Sequence, residues 1–429
     1  MRTSGFVSGD ATGIAIPVHP EAIADDPARF LTDALLAQGA IAPGNAVTQV
    51  TRFEPFAGGN SGKKLVLDVD YARATDAPTQ LFAKFSRDFD DPFRDRRKFE
   101  LEAEVRIAQL SRDPEFPVAV PRAVFADFHA ASGTGLLITE RIAFGTDAIE
   151  PNHPKCMDHL LPDPAAYYRV LVAAQARLAA AQHSGSLARK IEALFPFDRD
   201  AAAVEMPFPA SEADVREKVR AWLAFIEDAP QIFPEQLCSD RFRDRFKQDA
   251  VALFEHEVKL RRFLHADPDF IALCHWNTNI DNAWFWHNDS GELQCGLLDW
   301  GMARQMNVGF GLWGGLSASD PAMLAAELDA LLDHYAGELA ARGGPRLDPA
   351  LLGLHFDLSV ALVGMALMLD APALLRSRLP AIGNASGPHD PLLASDKVAQ
   401  GFLHVSRNFL MLWELRDFGA GLRRAFDLS

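Results

Sequence analysis

The hydrophobic pattern of this chain changes its period about one third of the way along, and this change constrains the fold more than any other feature of the sequence. Residues 47–142 have mainly the pattern of strands, with one amphipathic helix over about Arg96 to Leu110. The strand segments are VTQVTRF, KLVLDVDY, QLFAKF and GLLITERI. After Gly145 most segments have the helical period. The sequence therefore predicts an α+β fold, with a small antiparallel sheet followed by a larger, mostly helical part.

One polar hairpin interrupts the helical part. Two short apolar runs, NAWFW and QCGLLDW, flank the segment HNDSGE, which predicts two strands joined by a turn at Asp289 to Gly291. We therefore expect an N-terminal extension, residues 1–45, that packs on the lobes, a sheet lobe over residues 46–142 and a helical lobe over residues 143–429. The hairpin region, residues 271–301, belongs to the helical lobe.

Composition and charge exclude several classes of partner. The chain of 429 residues has 42 Lys and Arg against 58 Asp and Glu, and its formal net charge of −16 would repel a nucleic-acid backbone. The N-terminus lacks a charged start followed by an apolar stretch, so we expect a cytoplasmic protein. The most apolar segment, Ser359 to Leu369, is too short for a spanning helix of roughly 20 residues. It predicts a buried core helix, and no membrane partner is expected.

The segment FAGGNSGKKLVL places a glycine-rich loop between two predicted strands. Its candidate nucleotide-binding residues are Gly58, Gly59, Asn60, Ser61 and Gly62. Glycine lets backbone N–H groups approach phosphates closely. Taken alone, the loop fits an ordinary hairpin turn better. It does not fit a Walker loop, because Ala57 stands where the first glycine is needed and a strand follows in place of a helix.

Lys84 lies in a strand pattern that separates it from its apolar neighbours. In QLFAKF, the residues Leu81, Ala83 and Phe85 share one face and leave Lys84 on the other. A lysine in that position can contact a phosphate, although a lone strand lysine is more often only solvated. Its partner would be an acid on the following helix. Glu100, Glu102 and Glu104 compete for this role, and Glu104 is our choice because EVRIAQL seats it beside apolar residues.

The hairpin region carries the strongest chemical signal, LCHWNTNIDNAWFW followed by LLDWG. Its chemistry-bearing residues, in chain order, are His275, Asn277, Asp281, Asn282 and Asp299. The pattern resembles that of the aminoglycoside phosphotransferases and their choline kinase and ecdysteroid kinase relatives, in which His-Gly-Asp, four residues and Asn precede an Asp-Trp/Phe-Gly segment. His275, Asn282 and Asp299 match this pattern. The resemblance implies a protein-kinase-like, two-lobed fold that binds ATP or GTP with Mg²⁺ and phosphorylates a small-molecule acceptor.

Several roles follow from the resemblance. It makes Asn282 and Asp299 the metal ligands, which suits Mg²⁺ because this ion prefers hard oxygen donors. A turn aspartate and a capping amide are the alternatives for these two residues. The resemblance also makes LLITERI a hinge strand whose backbone, around Glu140 to Ile142, would meet the nucleotide base. It covers about Val47 to Gly301.

The sequence departs from the family pattern at HWN, where Trp276 replaces the glycine and Asn277 replaces the catalytic aspartate. An amide is not a useful base near neutral pH, so Asn277 would position an acceptor and Asp281 is a possible substitute base. An acceptor with a more acidic hydroxyl, such as a phenol, would need less assistance from a general base. Two alternatives stay open: a nucleotide-binding pseudokinase with a regulatory or scaffold role, and another phosphate-handling reaction on the same fold.

Overall fold

The computed structural model describes four stretches of the chain, residues 5–58, 62–146, 148–185 and 187–428. The chain divides into two compact units. The first consists of the described residues up to Pro151 together with Trp284–Trp286 and Gly296–Ala303. The second consists of Asn152–Ala283, His287–Cys295 and the described residues from Arg304 onward.

In the described residues up to Pro151, seven strands form two sheets. They are β1 Phe6–Ser8, β2 Ala15–Pro17, β3 Val47–Pro55, β4 Lys64–Tyr71, β5 Gln80–Phe85, β6 Ala123–His129 and β7 Thr134–Glu140. β1 and β2 pair with each other, and the other five form one sheet in the order β3-β4-β5-β7-β6. Every neighbouring pair in this sheet is antiparallel. The alternating strand patterns of the sequence therefore form a single antiparallel sheet.

Two helices cover opposite faces of this sheet. α1, Pro27–Ala37, contributes to the larger core, in which Leu67, Leu81 and Phe85 are buried. α2, Arg94–Leu110, packs Leu101 and Val105 with residues of β6 and β7 on the other face. α2 begins two residues before the predicted helix. The two faces of β5 thus differ: one belongs to the apolar core, and the other carries Lys84 toward α2.

The sequence patterns did not predict β1, β2, α1 or β6. β6 was not predicted because five of its seven residues are buried, so its sequence lacks the alternation of apolar and polar residues that marks a half-exposed strand. α1 does carry a start signal, since Asp26 caps the helix by accepting a hydrogen bond from the backbone N–H of Arg29 and Pro27 follows at the first helical position.

Twelve helices make up most of the described second unit. They are α3 Pro164–His183, α4 Ala188–Leu194, α5 Arg199–Val204, α6 Glu212–Asp228, α7 Asp240–Glu255, α8 Glu257–Ala266, α9 Val308–Leu316, α10 Pro321–Ala341, α11 Pro349–Val363, α12 Ala371–Arg378, α13 Lys397–Arg416 and α14 Phe418–Leu428. Several begin with the same signal, an aspartate cap followed by proline, as at Asp163, Asp320 and Asp348. The predicted α+β class, with a small antiparallel sheet followed by a larger, mostly helical part, is confirmed.

Four short strands occur in the region of the predicted hairpin. β8, Ile271–Cys274, pairs antiparallel with β11, Arg304–Asn307. β9, Ala283–His287, and β10, Leu293–Leu297, form the hairpin. Its turn is closed by a 3.0 Å hydrogen bond from the backbone N–H of Asn288 to the carbonyl of Glu292.

The apolar segment predicted as a core helix belongs to a longer helix. α11 continues through a π-helical turn, Gly364–Met368. Within the described residues, Pro349–Met368 is the one helix long and apolar enough to cross a membrane by length and composition, and 83% of its most apolar window is buried inside the protein. Burial of this kind is typical of a core helix.

Candidate active site

Lys84 lies on the sheet face that α2 covers. The core residues Leu81, Ala83 and Phe85 occupy the opposite face of β5, as the alternation predicts. In the antiparallel pairing of β4 with β5, Lys64 is directly opposite Lys84. The next pair on the same face is Val66 with Phe82, and it forms an apolar surface beside the two lysines.

The Lys84 ammonium contacts two carboxylates. Its Nζ lies 2.6 Å from Oε2 of Glu104 and 2.9 Å from Oδ1 of Asp299. The side chains of Lys84 and Glu104 are only 13% and 4% exposed, whereas that of Asp299 is 41% exposed. Asp299 therefore presents a carboxylate to solvent, while Glu104 is shielded from it.

Burial and neighbouring charges shift the pKa values of Lys84 and Glu104 in opposite directions. Burial alone would lower the pKa of Lys84, but the carboxylates of Glu104 and Asp299 raise it above its usual value. Burial raises the pKa of Glu104, and the charge of Lys84 opposes that rise. Lys84 is consequently a permanent cation held in a fixed place, the form in which a lysine can bind phosphate oxygens.

Of the three acids considered as partners of Lys84, Glu104 is the one that contacts it. Glu100 pairs with Arg97 at 3.0 Å and lies 3.8 Å from Arg87, and Glu102 pairs with Arg106 one turn along α2. Glu100 and Glu104 lie one helical turn apart on the same side of α2, so their position along the helix decides which of them reaches Lys84, whereas Glu102 leaves α2 in a different direction.

The backbone at Asp299 has an uncommon conformation. Its φ of 59° and ψ of 61° lie in the left-handed region, where aspartate is tolerated better than most residues. A short 3₁₀ turn, Trp300–Met302, follows directly. Gly301 lies against Glu100 of α2, and a Cβ at this position would come within 3.2 Å of the Glu100 Cβ. The Asp-Trp-Gly sequence thus places Asp299 beside Lys84 because its glycine fits against α2.

The glycine-rich loop is described at its two ends, and Gly59, Asn60 and Ser61 lie outside the described residues. The carbonyl of Gly58 accepts a 2.7 Å hydrogen bond from Nζ of Lys64. Gly62 has a φ of +57°, and a Cβ there would lie 1.9 Å from the carbonyl oxygen of Phe85. Only glycine fits at position 62, so the loop returns to β4 in close contact with the end of β5.

β7, which contains most of the predicted hinge segment, ends at Glu140. The Glu140 N–H donates to the carbonyl of Arg122 at 2.9 Å, and the Arg141 N–H donates to the carbonyl of Gln80 at 3.0 Å. In the described part of the chain, the backbone N–H of Ile142 donates no hydrogen bond. It is therefore a backbone donor that a base could engage, two residues beyond the end of the sheet.

In the second unit, the loop after β8 carries the HWN sequence. His275 is fully buried, and its Nδ1 accepts a 3.2 Å hydrogen bond from the backbone N–H of Asn277. Between them, Trp276 has a φ of +66°, which is rare for a bulky residue. Asn277 is half-buried, and its Oδ1 accepts a 2.6 Å hydrogen bond from Nδ2 of Asn279. This bond directs the Asn277 amide nitrogen away from Asn279.

The remaining predicted residues of this loop lie close to Asn277. Nδ2 of Asn282 donates a 2.9 Å hydrogen bond to the backbone carbonyl of Asn277, and the Asn282 side chain is largely buried. This bond occupies the amide nitrogen of Asn282 and leaves its oxygen as the atom that could bind a metal ion. Asp281 is half-buried, and its backbone carbonyl accepts a long, 3.5 Å hydrogen bond from Asn152.

A glycine face on α9 braces the loop, and sequence reasoning missed it. A Cβ on Gly314 would lie 1.7 Å from the Trp276 carbonyl oxygen, and a Cβ on Gly311 would lie 2.8 Å from the side chain of Cys274. A Cβ on Gly315 would lie 2.6 Å from the side-chain nitrogen of Gln175 and 3.4 Å from the side chain of Thr278. The three glycines recur at i, i+3 and i+4, so they share one face of the helix. That spacing in VGFGLWGGL was the available signal.

No family model matches the chain, and no curated protein matches it. Solved structures with a similar fold include the GDP complex of wild-type aminoglycoside 2'-phosphotransferase-IIIa, which is 14% identical with a TM-score of 0.38 and covers 88% of this chain and 98% of that chain. A choline/ethanolamine kinase family protein from Mesorhizobium loti is 16% identical, with a TM-score of 0.36, and the match covers 88% of this chain and 99% of that chain. An ethanolamine kinase from Plasmodium vivax is 12% identical, with a TM-score of 0.40, and the match covers 76% of this chain and 78% of that chain. At TM-scores of 0.36 to 0.40, these similarities indicate neither an activity nor an acceptor for this chain.

Proposed function

We propose that this protein is a phosphotransferase that uses a Mg²⁺-bound nucleoside triphosphate, ATP or GTP, to phosphorylate a hydroxyl group of a small molecule. The observation that carries the proposal is the double contact of Lys84 with Glu104 and Asp299. A largely buried lysine, fixed by a buried acid and adjacent to an exposed carboxylate, supplies a phosphate-binding cation next to a metal-binding oxygen.

On the nucleotide side, the residues have separate tasks. Lys84 binds phosphate oxygens, and Glu104 keeps the ammonium in place. The apolar pair Val66 and Phe82, on the same sheet face, offers a surface for the base, and the N–H of Ile142 offers a hydrogen bond to its edge. The sequence pattern adds the glycine-rich loop, whose backbone N–H groups, that of Gly62 among them, are candidate donors to the phosphates.

Asp299 is the principal candidate ligand for Mg²⁺, because its carboxylate is partly exposed. The sequence pattern adds Asn282, whose amide oxygen is the atom left to bind a metal ion. When bound, Mg²⁺ neutralises charge on the phosphates and orients the transferred group. Two protein oxygens suit this ion, which usually keeps the phosphates and several waters as its other ligands.

On the acceptor side, Asn277 has the task of binding and orienting. Its Oδ1 already accepts a hydrogen bond from Asn279, so its amide N–H groups are the atoms that would meet an acceptor oxygen. An N–H donor does not remove a proton. An acceptor that loses its proton easily, such as a phenol with a pKa near 10, therefore fits this site better than an aliphatic alcohol.

Substitution of Asp299 tests the proposal. Asp299→Ala should weaken Mg²⁺-ATP or Mg²⁺-GTP binding and abolish measurable nucleotide turnover, because it removes the main metal-binding oxygen. Asp289→Asn, in the exposed turn of the same hairpin, is the control and should leave both unchanged. Unchanged affinity and turnover in Asp299→Ala would show that the assignment is wrong.

A nucleotide-binding pseudokinase is the second candidate, and Asn277 is the observation that favours it. A protein of this kind would bind the nucleotide through Lys84 and Asp299 but transfer no phosphate. Phosphorus NMR with pooled alcohols and phenols distinguishes the two candidates, because phosphorylation of any acceptor by the wild-type protein rules out the pseudokinase.

A further inference from the structure

A second lysine is buried beside Lys84. Lys64 begins β4, and only 7% of its surface is exposed. Burial of an ammonium group is costly unless it is paired. In the described part of the chain, the one hydrogen bond of its Nζ is the 2.7 Å bond to the carbonyl of Gly58, so an ammonium with three donors has one neutral acceptor. Because burial of a poorly paired ammonium group is unfavourable, a ligand or a charged partner would stabilise Lys64.

The register of the sheet directs Lys64 to the same place as Lys84. The two residues are directly opposite each other on β4 and β5, so their side chains leave the same face of the sheet. The next residue along β4, Leu65, lies in the core on the opposite face. Lys64 therefore faces the same side of the sheet as Val66, Phe82 and Lys84.

The charges around Lys64 favour an anionic ligand. Burial lowers the pKa of Lys64, and the nearby charge of Lys84 lowers it further. The carboxylates of Asp299 and Glu104 oppose this effect, but both already form hydrogen bonds with Lys84. Two neighbouring ammonium groups repel each other, and an anion between them would relieve that repulsion.

The neighbouring residue, Lys63, has a different environment. Its side chain is 41% exposed and pairs with Glu21 at 3.1 Å and Asp88 at 3.2 Å. Lys63 directly precedes Lys64 in sequence, carries the same charge and has its own carboxylate partners, which makes it a matched control for the charge of Lys64.

We propose that Lys64 is a second nucleotide-contacting cation, which exchanges the carbonyl of Gly58 for a phosphate oxygen when the nucleotide binds. The inference rests on the proposed function and extends it, because it assigns the triphosphate to two cations on one sheet face. The same exchange would free the carbonyl of Gly58 from its contact with Lys64.

The test compares nucleotide binding by Lys64→Met and Lys63→Met with that of the wild-type protein. Isothermal titration calorimetry with ATP, GTP and their nucleosides, in the presence of MgCl₂, separates phosphate contacts from base contacts. We expect Lys64→Met to lose at least about tenfold in affinity for the bound triphosphate, because a charge-assisted hydrogen bond is lost, and to bind the nucleoside unchanged. Lys63→Met should bind both ligands like the wild type.

Three results would overturn the inference. The first is wild-type affinity of Lys64→Met for the triphosphate, and the second is an equal loss for triphosphate and nucleoside, which would show that Lys64 only supports the loop. The third is an equal loss in Lys63→Met, which would show a general effect of charge. If circular dichroism shows that Lys64→Met does not fold, Lys64→Gln replaces it under the same criteria. Absence of triphosphate binding by the wild-type protein would instead refute the proposed function.

Discussion

The ammonium group of Lys84 and the carboxylate of Glu104 lie 2.6 Å apart, although one residue belongs to a strand and the other to the third turn of a helix. Both side chains are largely buried. Because the separation of a charged pair from solvent strengthens its attraction, this contact fixes the position of α2 relative to β5 as well as the position of the ammonium. Breaking a buried pair by removing one partner leaves an uncompensated charge.

Glu104→Gln should therefore reduce kcat/KM for the nucleotide by about 10- to 100-fold, because the ammonium loses its fixed position. Glu102→Gln is the matched control on the same helix, where Glu102 pairs with Arg106. Steady-state kinetics with Mg²⁺-ATP or Mg²⁺-GTP measure both variants. Equal kcat/KM in the two variants would contradict the role given to Glu104.

Asn277→Asp should increase nucleotide hydrolysis, in which water is the acceptor. The substitution supplies the general base that the amide lacks, and such a base is typically worth about 10²- to 10⁴-fold. The aspartate would still accept the hydrogen bond from Asn279. Asn288→Asp, in the hairpin turn, adds the same charge at a position outside the proposed site and should not raise the rate. A phosphate-release assay measures all three proteins, and an unchanged rate in Asn277→Asp would contradict this role for the position.

Gly314→Ala should destabilise the protein or displace the HWN loop. The added Cβ would lie 1.7 Å from the carbonyl oxygen of Trp276, a distance that requires the backbone to move. Overpacking of this kind typically costs about 1–3 kcal/mol. Gly337→Ala, within α10, is the control, because no described atom outside the adjoining residues and backbone of its own helix lies within 4 Å of the added Cβ.

Gly337→Ala should stabilise the protein by about 0.5–1 kcal/mol, since alanine is the better helix former. Urea unfolding of the two variants, followed by circular dichroism, gives both free energies. The bracing role of α9 would be refuted if Gly314→Ala were as stable as Gly337→Ala.

The fold class followed from the sequence because the strand and helix periods occupy separate stretches of the chain. The alternation in β5 correctly separated Lys84 from Leu81 and Ala83. β6 was missed for the corresponding physical reason: a strand covered on both faces has no alternation to detect.

Residue type and spacing were sufficient to select Asp299 as a candidate metal ligand, and that role stays a prediction. Glu104 was selected as the partner of Lys84 from the local sequence pattern, although Glu100 has a similar sequence context. The contact itself depends on how α2 lies on the sheet. The bracing of the HWN loop depends on a helix about 35 residues further along the chain, so no local pattern around Trp276 could reveal it.

The buried histidines should make the protein sensitive to acid. His404 is 6% exposed, and its Nε2 donates a 2.7 Å hydrogen bond to the carbonyl of Ser319. Burial lowers the pKa of His404 from 6.5 to about 4, and the bond to Ser319 opposes this only in part. His355, stacked on Phe270 with ring centroids 3.8 Å apart, is a second case, and burial lowers its pKa to about 3.

A depressed pKa means that the unfolded chain binds protons that the folded protein does not, so stability is fully present above about pH 6.5 and falls as the pH decreases toward 4. Each such histidine contributes up to about 1.4 kcal/mol per pH unit. His404→Gln retains an N–H donor for Ser319 but does not titrate. The free energy of unfolding of this variant should therefore fall less between pH 7 and pH 5 than that of the wild type. His355 contributes equally to the acid sensitivity of both proteins. Urea unfolding at the two pH values measures the difference, and an identical fall in both proteins would show that His404 is not a source of the acid sensitivity.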